Sequence, residues 1–374
     1  MNRVEPTSSI GIIGRGLAGL SLARALARKG YSDITIYGEK SVPGSATRAA
    51  VGVVTVKGWN EPRQPLFRAK YEGHKTLPRW IAGLEKDTGR SVRQIWGDIY
   101  EPFRDEDQYL WIRERVYHRD FHGALAVSVS QTPPLPASLQ AVGAFQYWQD
   151  GWVDPVDLVE ALEMSATRYR TKIMDINCHH LAWEPDAKIR VMGIDGILGK
   201  HDEVVLAAGI FSNGIAARSE LDLPSLTPVS GVTLQVAADA MTEYAVIFGK
   251  MAAAVAGGQM RFGSTSNTSG ITVETDGIYD RTKSQQAAYL IDFIKDLGLY
   301  RGEPDAVGGI RARSKDRQPV VGFTKIPGRG RLGLFTGLYK SGIQLSHFLA
   351  ESLADAWSFG TNSELLNLFS PRRF

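Results

Sequence analysis

The feature that most constrains the fold is a glycine turn near the start of the chain. Gly14, Gly16 and Gly19 follow directly on the apolar segment 9–13 and open an Ala- and Leu-rich segment, 17–28. The first glycine permits a sharp turn, the second lets a backbone approach a pyrophosphate, and the third permits close packing of a helix on a strand. The pattern predicts a strand, turn and helix that bind a dinucleotide at the N-terminus of the helix.

An acid at the end of the next strand would complete this fingerprint. The segment 33–37 predicts that strand, and Glu39 lies about 20 residues after Gly19, the spacing expected of a carboxylate that accepts ribose hydroxyl groups. We therefore expect dinucleotide contacts from the turn and from the end of the second strand, namely from Gly14, Gly16, Leu17, Ala18, Gly19, Glu39 and Lys40.

Length, charge and cysteine content limit the remaining possibilities. The chain has 374 residues, and single cores usually stop growing at about 250 to 300 residues, so we expect two domains. The formal net charge of +3 is scattered and forms no basic stripe for nucleic acid. Cys178 is the only cysteine, which favours a reducing, cytoplasmic compartment. No segment approaches the roughly 20 apolar residues that span a bilayer, so we expect a soluble protein.

Helical and strand-like segments predict how the chain is organised. The segment 65–84 has helical spacing, with Pro78 expected to interrupt it or to start a new helix. The aromatic segment 92–129 predicts strands. Asp154 followed by Pro155 predicts the N-terminus of a helix that continues to residue 166.

The second half of the chain continues this alternation. The apolar segment 204–208 predicts a strand buried in a parallel sheet, and 229–273 is rich in strands. Helices are expected at 284–297 and 343–357. We therefore predict an α/β fold with a Rossmann-like nucleotide-binding domain and an interleaved α+β substrate domain built on a mixed sheet. The expected nucleotide-binding segments are 1–60, 150–228 and 315–374, and those of the substrate domain are 61–149 and 229–314.

Beyond the first turn, five segments in this order resemble those of one flavoprotein family. They are the small-residue loop Gly44–Gly52, the strand and glycine Val204–Ser212, the crossover Pro228–Gly231, the segment Gly309–Gly322 and the glycine-rich turn Thr336–Ile343. The family is that of glycine oxidase and D-amino acid oxidase. It includes sarcosine oxidases and the FAD domain of the enzyme that removes a carboxymethyl group from a tRNA wobble uridine.

The resemblance implies FAD as the cofactor. The flavin contacts carried over to this chain are Thr47, Arg48, Ala49, Gly52, Ala208, Gly209, Gly337, Lys340, Ser341, Gly342 and Ile343. We expect noncovalent FAD, because Cys178 is far in sequence from the flavin-contacting segments. The chain departs from the family at Gly38, which stands at the usual acidic position, and at Lys340, where glycine oxidases usually carry arginine. No family motif matches the region 53–142.

The activity implied is oxidation of a C–N bond in a small amino acid or N-substituted glycine, with O2 as the acceptor. Arg311 is the candidate for binding the substrate carboxylate, since a guanidinium can bind a carboxylate through two parallel hydrogen bonds. Arg313 would lie on the same strand face and is the alternative cation. Lys340 is expected to neutralise the reduced flavin or to contact substrate, and the helix that begins near Gly342 would add its N-terminal dipole.

Other functions remain open at this point. The chain could act on the tRNA wobble uridine, although we expect no fused methyltransferase domain and find no basic stripe in the sequence. It could oxidise a 2-hydroxy acid, which Arg311 would bind equally well, or be a flavin-binding subunit without turnover. An oligomer is possible.

No metal site is expected, since His118, Asp120 and His122 have no further ligand nearby and the His179–His180 pair has no better support. Several aromatic residues of the unmatched region are expected in a sheet core rather than in a pocket wall: Trp96, Tyr100, Trp111 and Tyr117.

Overall fold

The computed structural model describes residues 5–55, 65–117, 127–238, 243–273, 278–326, 330–360 and 363–374. Its helices are α1 (Leu17–Arg28), α2 (Pro65–Thr88), α3 (Glu106–Tyr117), α4 (Pro155–Arg168), α5 (Ser212–Arg218), α6 (Lys283–Asp296), α7 (Gly342–Phe359) and α8 (Glu364–Leu368). Its strands are β1 (Ile10–Ile13), β2 (Ile34–Tyr37), β3 (Gly44–Ser45), β4 (Val53–Val54), β5 (Gln94–Trp96), β6 (Ile99–Phe103), β7 (Val127–Ser130), β8 (Gly143–Tyr147), β9 (Gly151–Val153), β10 (Lys172–Met174), β11 (His180–Trp183), β12 (Ile189–Met192), β13 (Ile197–His201), β14 (Glu203–Leu206), β15 (Thr227–Ala237), β16 (Tyr244–Phe248), β17 (Met251–Ala256), β18 (Gln259–Gly263), β19 (Ile271–Val273), β20 (Ile278–Asp280), β21 (Asp305–Arg313), β22 (Val320–Ile326) and β23 (Gly330–Thr336).

A largely parallel sheet carries the glycine turn. Its strand order is β10-β2-β1-β14-β23-β22, and only β22 runs antiparallel to its neighbour. Every residue of β1 and β2 is buried, as expected of strands covered on both faces. Helices α1, α4 and α7 pack around this sheet and share one hydrophobic core with it. The predicted strand–turn–helix unit at the start of the chain is therefore confirmed.

A mixed sheet of nine strands forms the second large layer. Its order is β3-β21-β15-β18-β17-β16-β6-β8-β7, with parallel pairing at β3–β21 and β6–β16 and antiparallel pairing elsewhere. Its strands come from both sides of the segment 151–226, so the chain crosses between the two sheets more than once. The predicted α/β class with a mixed second sheet is confirmed, while the domain boundaries stay a prediction.

Helix α2 continues through Pro78, so the predicted interruption is wrong. A proline inside a helix removes one backbone hydrogen bond and costs about 3 kcal/mol or more. The Thr76 hydroxyl donates to the carbonyl of Glu72, 2.7 Å away, within the turn that precedes the proline. Leu77, Ile81 and Leu84 are fully buried, and their packing in the core outweighs the cost of the proline.

The segment 106–117 is helix α3, which corrects the prediction that 92–129 consists of strands. The Asp105 carboxylate accepts a hydrogen bond from the backbone N–H of Gln108 at 2.8 Å and so caps the helix. Glu106 and Asp107 in the first turn favour the positive end of the helix dipole. The prediction of strands followed the aromatic pattern of the segment and did not take these local helix signals into account.

The predicted N-cap at Asp154 is confirmed. Its carboxylate accepts from the backbone N–H groups of Val156 at 2.8 Å and Asp157 at 3.2 Å. The same carboxylate forms an ion pair with Arg93 at 2.9 Å. Pro155 occupies the first turn, where a missing N–H costs nothing.

We expect Asp154→Ala to lower the free energy of unfolding by about 1 kcal/mol, the usual value of an N-cap. Asp154→Asn is the matched control, because it keeps the capping oxygen and removes only the charge that pairs with the partly exposed Arg93. Urea titrations followed by circular dichroism would measure both variants. Equal losses for Ala and Asn would show that the ion pair matters rather than the cap.

Candidate active site

A cavity of about 620 Å³ lies between the parallel sheet and the mixed sheet. Its size falls within the range of ligand pockets, roughly 300 to 1,000 Å³. Its walls come from both layers, including the glycine turn, the loop after β2, the loop that contains β3, the start of α7 and the strand β21. Segments that are up to 330 residues apart in the printed sequence therefore meet at one site.

Nearly all the residues predicted to bind cofactor or substrate line this cavity. They are Gly14, Gly16, Leu17, Ala18, Glu39, Lys40, Thr47, Arg48, Gly52, Ala208, Gly209, Arg311, Gly337, Lys340, Ser341, Gly342 and Ile343. Gly19 and Ala49 do not line it. A Cβ on Gly19 would lie 2.0 Å from the carbonyl oxygen of Gly14, which agrees with the packing role predicted for the third glycine. Ala49 is buried behind the cavity wall, so a direct contact with a cofactor is not supported.

The glycine turn fits a phosphate. Gly14 has φ +124°, and a Cβ there would lie 2.4 Å from the carbonyl oxygen of Ala207, so only glycine is accommodated. Gly16 is the N-cap of α1 and supplies no side-chain cap, while the Leu17 amide donates to the Thr47 hydroxyl at 3.5 Å. Leu17 and Ala18 of the first helical turn line the cavity. Free helix N-terminal amides together with the helix dipole form an anion site.

Gly38, the residue before Glu39, has little room for a side chain. A Cβ on Gly38, the position at which the family carries an acid, would lie 2.9 Å from the backbone nitrogen of Arg15. Arg15 itself is held by Glu163 at 2.7 Å. Glu39 follows, is exposed and lines the cavity, and its ribose contact stays a prediction. Its backbone N–H donates to the Asn177 side chain at 3.3 Å, so Asn177 helps to position this loop.

Arg261 holds the first half of the small-residue loop 48–52. Its Nη2 atom donates to the carbonyls of Arg48 at 2.8 Å and Ala50 at 2.9 Å. The Thr233 hydroxyl donates to the carbonyl between them, that of Ala49, at 2.7 Å. Arg261 is 6% exposed, and burial lowers its pKa. Both donors come from the mixed sheet, so the loop is fixed by side chains distant in sequence.

Strand β9 holds the second half of the same loop. The indole Nε1 of Trp152 donates to the carbonyl of Val51 at 2.7 Å, and the backbone N–H of Val153 donates to that of Gly52 at 3.1 Å. Five consecutive carbonyls, from residue 48 to residue 52, therefore have donors outside the loop. This leaves the loop with a fixed conformation at the cavity wall.

Arg311 lies on β21 with its guanidinium held by neutral oxygens. It donates to the Ser264 hydroxyl at 2.6 Å and to the carbonyls of Thr265 at 3.1 Å and Ser230 at 3.4 Å. A Cβ on Gly231 would lie 2.5 Å from Nη2, so the glycine of the predicted crossover makes room for this side chain. Burial lowers the pKa of Arg311, and within the described ranges no carboxylate pairs with it.

Tyr339 lies next to Arg311, and the sequence analysis did not single it out. It adopts φ 50° in the turn before α7 and lines the cavity. Burial raises the pKa of its phenol, but a hydrogen bond with Ser266 and nearby positive charges bring the net pKa below its usual value. The cations are Lys340, Arg311 and Arg313. Arg313 itself does not line the cavity.

Lys340 lies at the mouth of the cavity with its ammonium 5.6 Å from the centre of the Tyr339 ring. Partial burial lowers its pKa, Tyr339 acts in the opposite direction, and the charges of Arg311 and Lys250 lower it further. Lys250, in the turn between β16 and β17, also lines the cavity and was missed from sequence. The turn carries no motif that would have identified it.

The remaining candidate residues lie elsewhere, with one exception. Cys178 lines the same cavity, beside Tyr37, so its distance in sequence from the predicted flavin-contacting segments does not keep it away from the cavity. Burial raises the pKa of its thiol to about 12. Tyr100 is buried in a sheet core as predicted, whereas Trp111 is 54% exposed on α3, and neither lines the cavity. Trp96 is partly buried and also lies outside the wall, and the side chain of Tyr117 is outside the described residues.

The histidines and the aspartate that the sequence analysis set aside as metal ligands are only partly described. His118, Asp120 and His122 lie outside the described residues. The Nδ1 atoms of His179 and His180 are 3.1 Å apart. In the part of the chain that the structure describes, no three His, Cys, Asp or Glu side chains are arranged to hold a metal ion. Nor is any described helix both long and apolar enough to cross a bilayer.

The walls fit a dinucleotide that carries a flavin. The uncapped start of α1 would hold the pyrophosphate, and the loop 48–52 together with the start of α7 would flank the ring system. The arrangement defines a flavin-type dinucleotide-binding oxidoreductase fold. Residues 9–356 match the family model described as DAO, FAD dependent oxidoreductase. The chain therefore belongs to this family of FAD-dependent oxidoreductases.

Comparisons with individual proteins agree with this assignment. The chain is 30% identical over 244 residues to the tRNA 5-methylaminomethyl-2-thiouridine biosynthesis bifunctional protein MnmC of Chromohalobacter salexigens. This match covers 62% of the chain but only 31% of that protein. Among solved structures, iminodiacetate oxidase of Chelativorans sp. BNC1 has a TM-score of 0.79 at 20% identity, covering 97% of this chain and 98% of the other. Glycine oxidase of Bacillus cereus ATCC 14579 has a TM-score of 0.79 at 23% identity, covering 96% and 100%.

We expect Arg261→Met to weaken FAD binding by about tenfold or more, because several hydrogen bonds from a charged donor to the loop carbonyls are lost. Arg190→Met is the matched control, since Arg190 pairs with Glu184 on β12, away from the cavity. Titration of each apoprotein with FAD, followed by quenching of flavin fluorescence, measures the dissociation constants. Equal affinity in the two variants would contradict a role for Arg261 in holding this loop.

Proposed function

We propose that the chain is an FAD-dependent oxidase of the C–N bond in a small amino acid or N-substituted glycine, with O2 as the acceptor. Bound FAD supplies the two-electron acceptor, so that loss of a hydride and a proton from the amine gives an imine, which water hydrolyses. The observation that carries the proposal is the buried guanidinium of Arg311, which faces the cavity with neutral oxygens as its described partners.

Arg311 has N–H groups available to bind a substrate carboxylate. Its three contacts engage Nη1 and Nη2, and Nε makes no hydrogen bond with another described residue. The Nε and Nη2 edge of a guanidinium can bind a carboxylate through two parallel hydrogen bonds. Because Ser264, Thr265 and Ser230 fix the orientation of the group, the carboxylate would be bound in one orientation at little entropic cost.

The cavity favours a neutral substrate amine. Its described lining contains no histidine and a single carboxylate, Glu39, next to the glycine turn. Arg311 and Lys340 are positive charges near the place where substrate would lie, and like charges disfavour an ammonium ion. The residues present therefore lower the pKa of the bound amine, so no side-chain base has to remove its proton.

The names of related proteins support the same reaction class. The two structural neighbours are described as a glycine oxidase and an iminodiacetate oxidase, both of which act on a nitrogen compound with a carboxylate. Noncovalent attachment of FAD and the individual cofactor contacts are part of the proposal. Lys340, which lines the cavity, would counter the negative charge of the reduced cofactor or contact the substrate.

We expect Arg311→Met to lower kcat/KM for the best amine substrate by about 100-fold, because a bidentate charged contact is lost. Arg311→Lys should lose less, because it keeps the charge without the planar pair of donors. Arg313→Met is the control two residues along the same strand and should change kcat/KM by less than about threefold. Hydrogen peroxide release with glycine, sarcosine and D-amino acids provides the measurement.

Anaerobic mixing separates the proposal from its alternatives. Bleaching of the flavin by an amine supports the proposal, whereas bleaching by glycolate or lactate alone would identify a 2-hydroxy acid oxidoreductase. If dithionite or light reduces the flavin and no substrate does so, the chain is a flavin-binding subunit without turnover.

A tRNA substrate is the second candidate, and the 30% identity to part of the bifunctional MnmC protein favours it. The chain spans about a third of that relative, so the activity of the whole protein does not transfer directly. Digestion of tRNA incubated with the holoenzyme, followed by mass spectrometry of nucleosides, tests it. Loss of a carboxymethyl group from the wobble uridine would support the tRNA reaction, and an unchanged nucleoside profile would exclude it.

A further inference from the structure

The cavity carries more positive charge near Arg311 than one substrate carboxylate would balance. Lys340 and Lys250 line the same cavity as Arg311. The charges of Arg311 and Lys250 both lower the pKa of Lys340, so the three cations are close enough to interact. Within the described ranges neither lysine forms an ion pair with a carboxylate, and the lining carboxylate, Glu39, is on the loop after β2.

Sheet geometry explains why Lys250 lies near Arg311. Lys250 stands two residues before Ala252, which pairs with Gly263 on the neighbouring strand. Ser264 follows Gly263 and accepts the 2.6 Å hydrogen bond from Arg311. Because adjacent strands lie about 4.8 Å apart, the long side chain of Lys250 can reach the space in front of Ser264.

A fourth cation at this end of the cavity is already balanced. Arg115 lines the cavity and lies 3.8 Å from the buried carboxylate of Glu101. It also stacks on the Trp111 ring, 3.9 Å from the ring centre. Lys250 and Lys340 are the lining lysines whose charges act on each other beside Arg311, and they can meet a second anionic group of a ligand.

We propose that Lys250 and Lys340 bind a second carboxylate of the substrate, so that the preferred substrate is a small amino- or iminodicarboxylic acid. This inference rests on the proposed function, since Arg311 takes the carboxylate next to the oxidised carbon. The two carboxylates would bind at different depths, one at the partly buried Arg311 and one at the exposed lysines.

The charges explain why a dianion gains affinity. Two ammonium groups close to a guanidinium repel one another, and the pKa of Lys340 is lowered by partial burial and by its cationic neighbours. A second carboxylate relieves this repulsion. Exposed charge pairs are individually weak, so we expect the second carboxylate to give a preference of about tenfold.

Paired ligands that cannot be oxidised at nitrogen test the subsite without turnover. Thiodiacetate carries two carboxylates, and methylthioacetate carries one on the same thioether. Dissociation constants for the holoenzyme come from the change in the flavin absorption spectrum on titration. We expect thiodiacetate to bind about tenfold more tightly than methylthioacetate, with a preference that declines as salt is added.

Variants of Lys250 decide whether the lysine carries this preference. Lys250→Met should reduce the preference to about twofold and leave methylthioacetate affinity unchanged, while Lys250→Arg should restore it. Lys172→Met, on the exposed edge strand β10, is the control and should keep the full preference. Equal affinities in the wild-type protein, or an unchanged preference in Lys250→Met, would overturn the inference.

Turnover gives the second measurement and separates the two proposals. Iminodiacetate and sarcosine are both secondary amines and differ by one carboxylate, so their kcat/KM ratio should exceed about ten and fall in Lys250→Met. If neither reduces the flavin, the proposed oxidation fails while the thiodiacetate preference still decides the subsite. If sarcosine is the better substrate, the proposed oxidation stands and the dicarboxylate inference fails.

Discussion

The hydrogen bonds to the carbonyls of residues 48–52 are the interaction on which the rest of the site depends. The loop leaves the parallel sheet after β2, and its β3 segment adds to the mixed sheet beside β21. Arg261 and Thr233 then hold its carbonyls from within the mixed sheet. The same loop therefore joins the two layers and forms a wall of the cavity.

The two ends of the cavity carry different kinds of positive charge, and both suit the proposed function. At one end the α1 amides and the glycine turn offer partial positive charge to phosphates. At the other end Arg311 is buried among hydroxyl and carbonyl oxygens, which solvate a guanidinium without neutralising it. A carboxylate in place of Ser264 would have balanced the charge within the protein and removed the attraction for a ligand. The neutral partners keep the charge available.

The sequence predicted the parts of the structure that depend on local chemistry. The glycine turn and the Asp154 cap follow from rules that involve a few neighbouring residues, and both were confirmed. Helix α3 was missed because its aromatic residues imitate a strand, while the cap at Asp105 lies outside that pattern. Pro78 was expected to break a helix that tertiary packing maintains. In each case contacts with distant segments or a short polar signal outweighed residue preference.

The candidate site, like the fold, was predicted only in part from the sequence. Arg311 and the start of α7 were predicted because they belong to segments that resemble a family. Arg261, Lys250 and Tyr339 contribute through contacts with residues far away in sequence, and no local pattern reports such contacts. Ala49 is buried next to the cavity wall, where Thr233 holds its carbonyl, and its contact with the cofactor stays a prediction. Sequence thus predicted which segments meet, and the structure was needed to assign the side chains.

The five held carbonyls also affect how the protein loses its structure. A loop that is hydrogen-bonded to the mixed sheet and continuous with the parallel sheet cannot be released from one layer without weakening the other. A ligand bound only by the folded state adds about 2.7 kcal/mol at a hundred times its dissociation constant. FAD that contacts this loop would therefore stabilise both layers together. Heating the holoenzyme should melt them in one cooperative transition, whose midpoint rises with the concentration of free FAD.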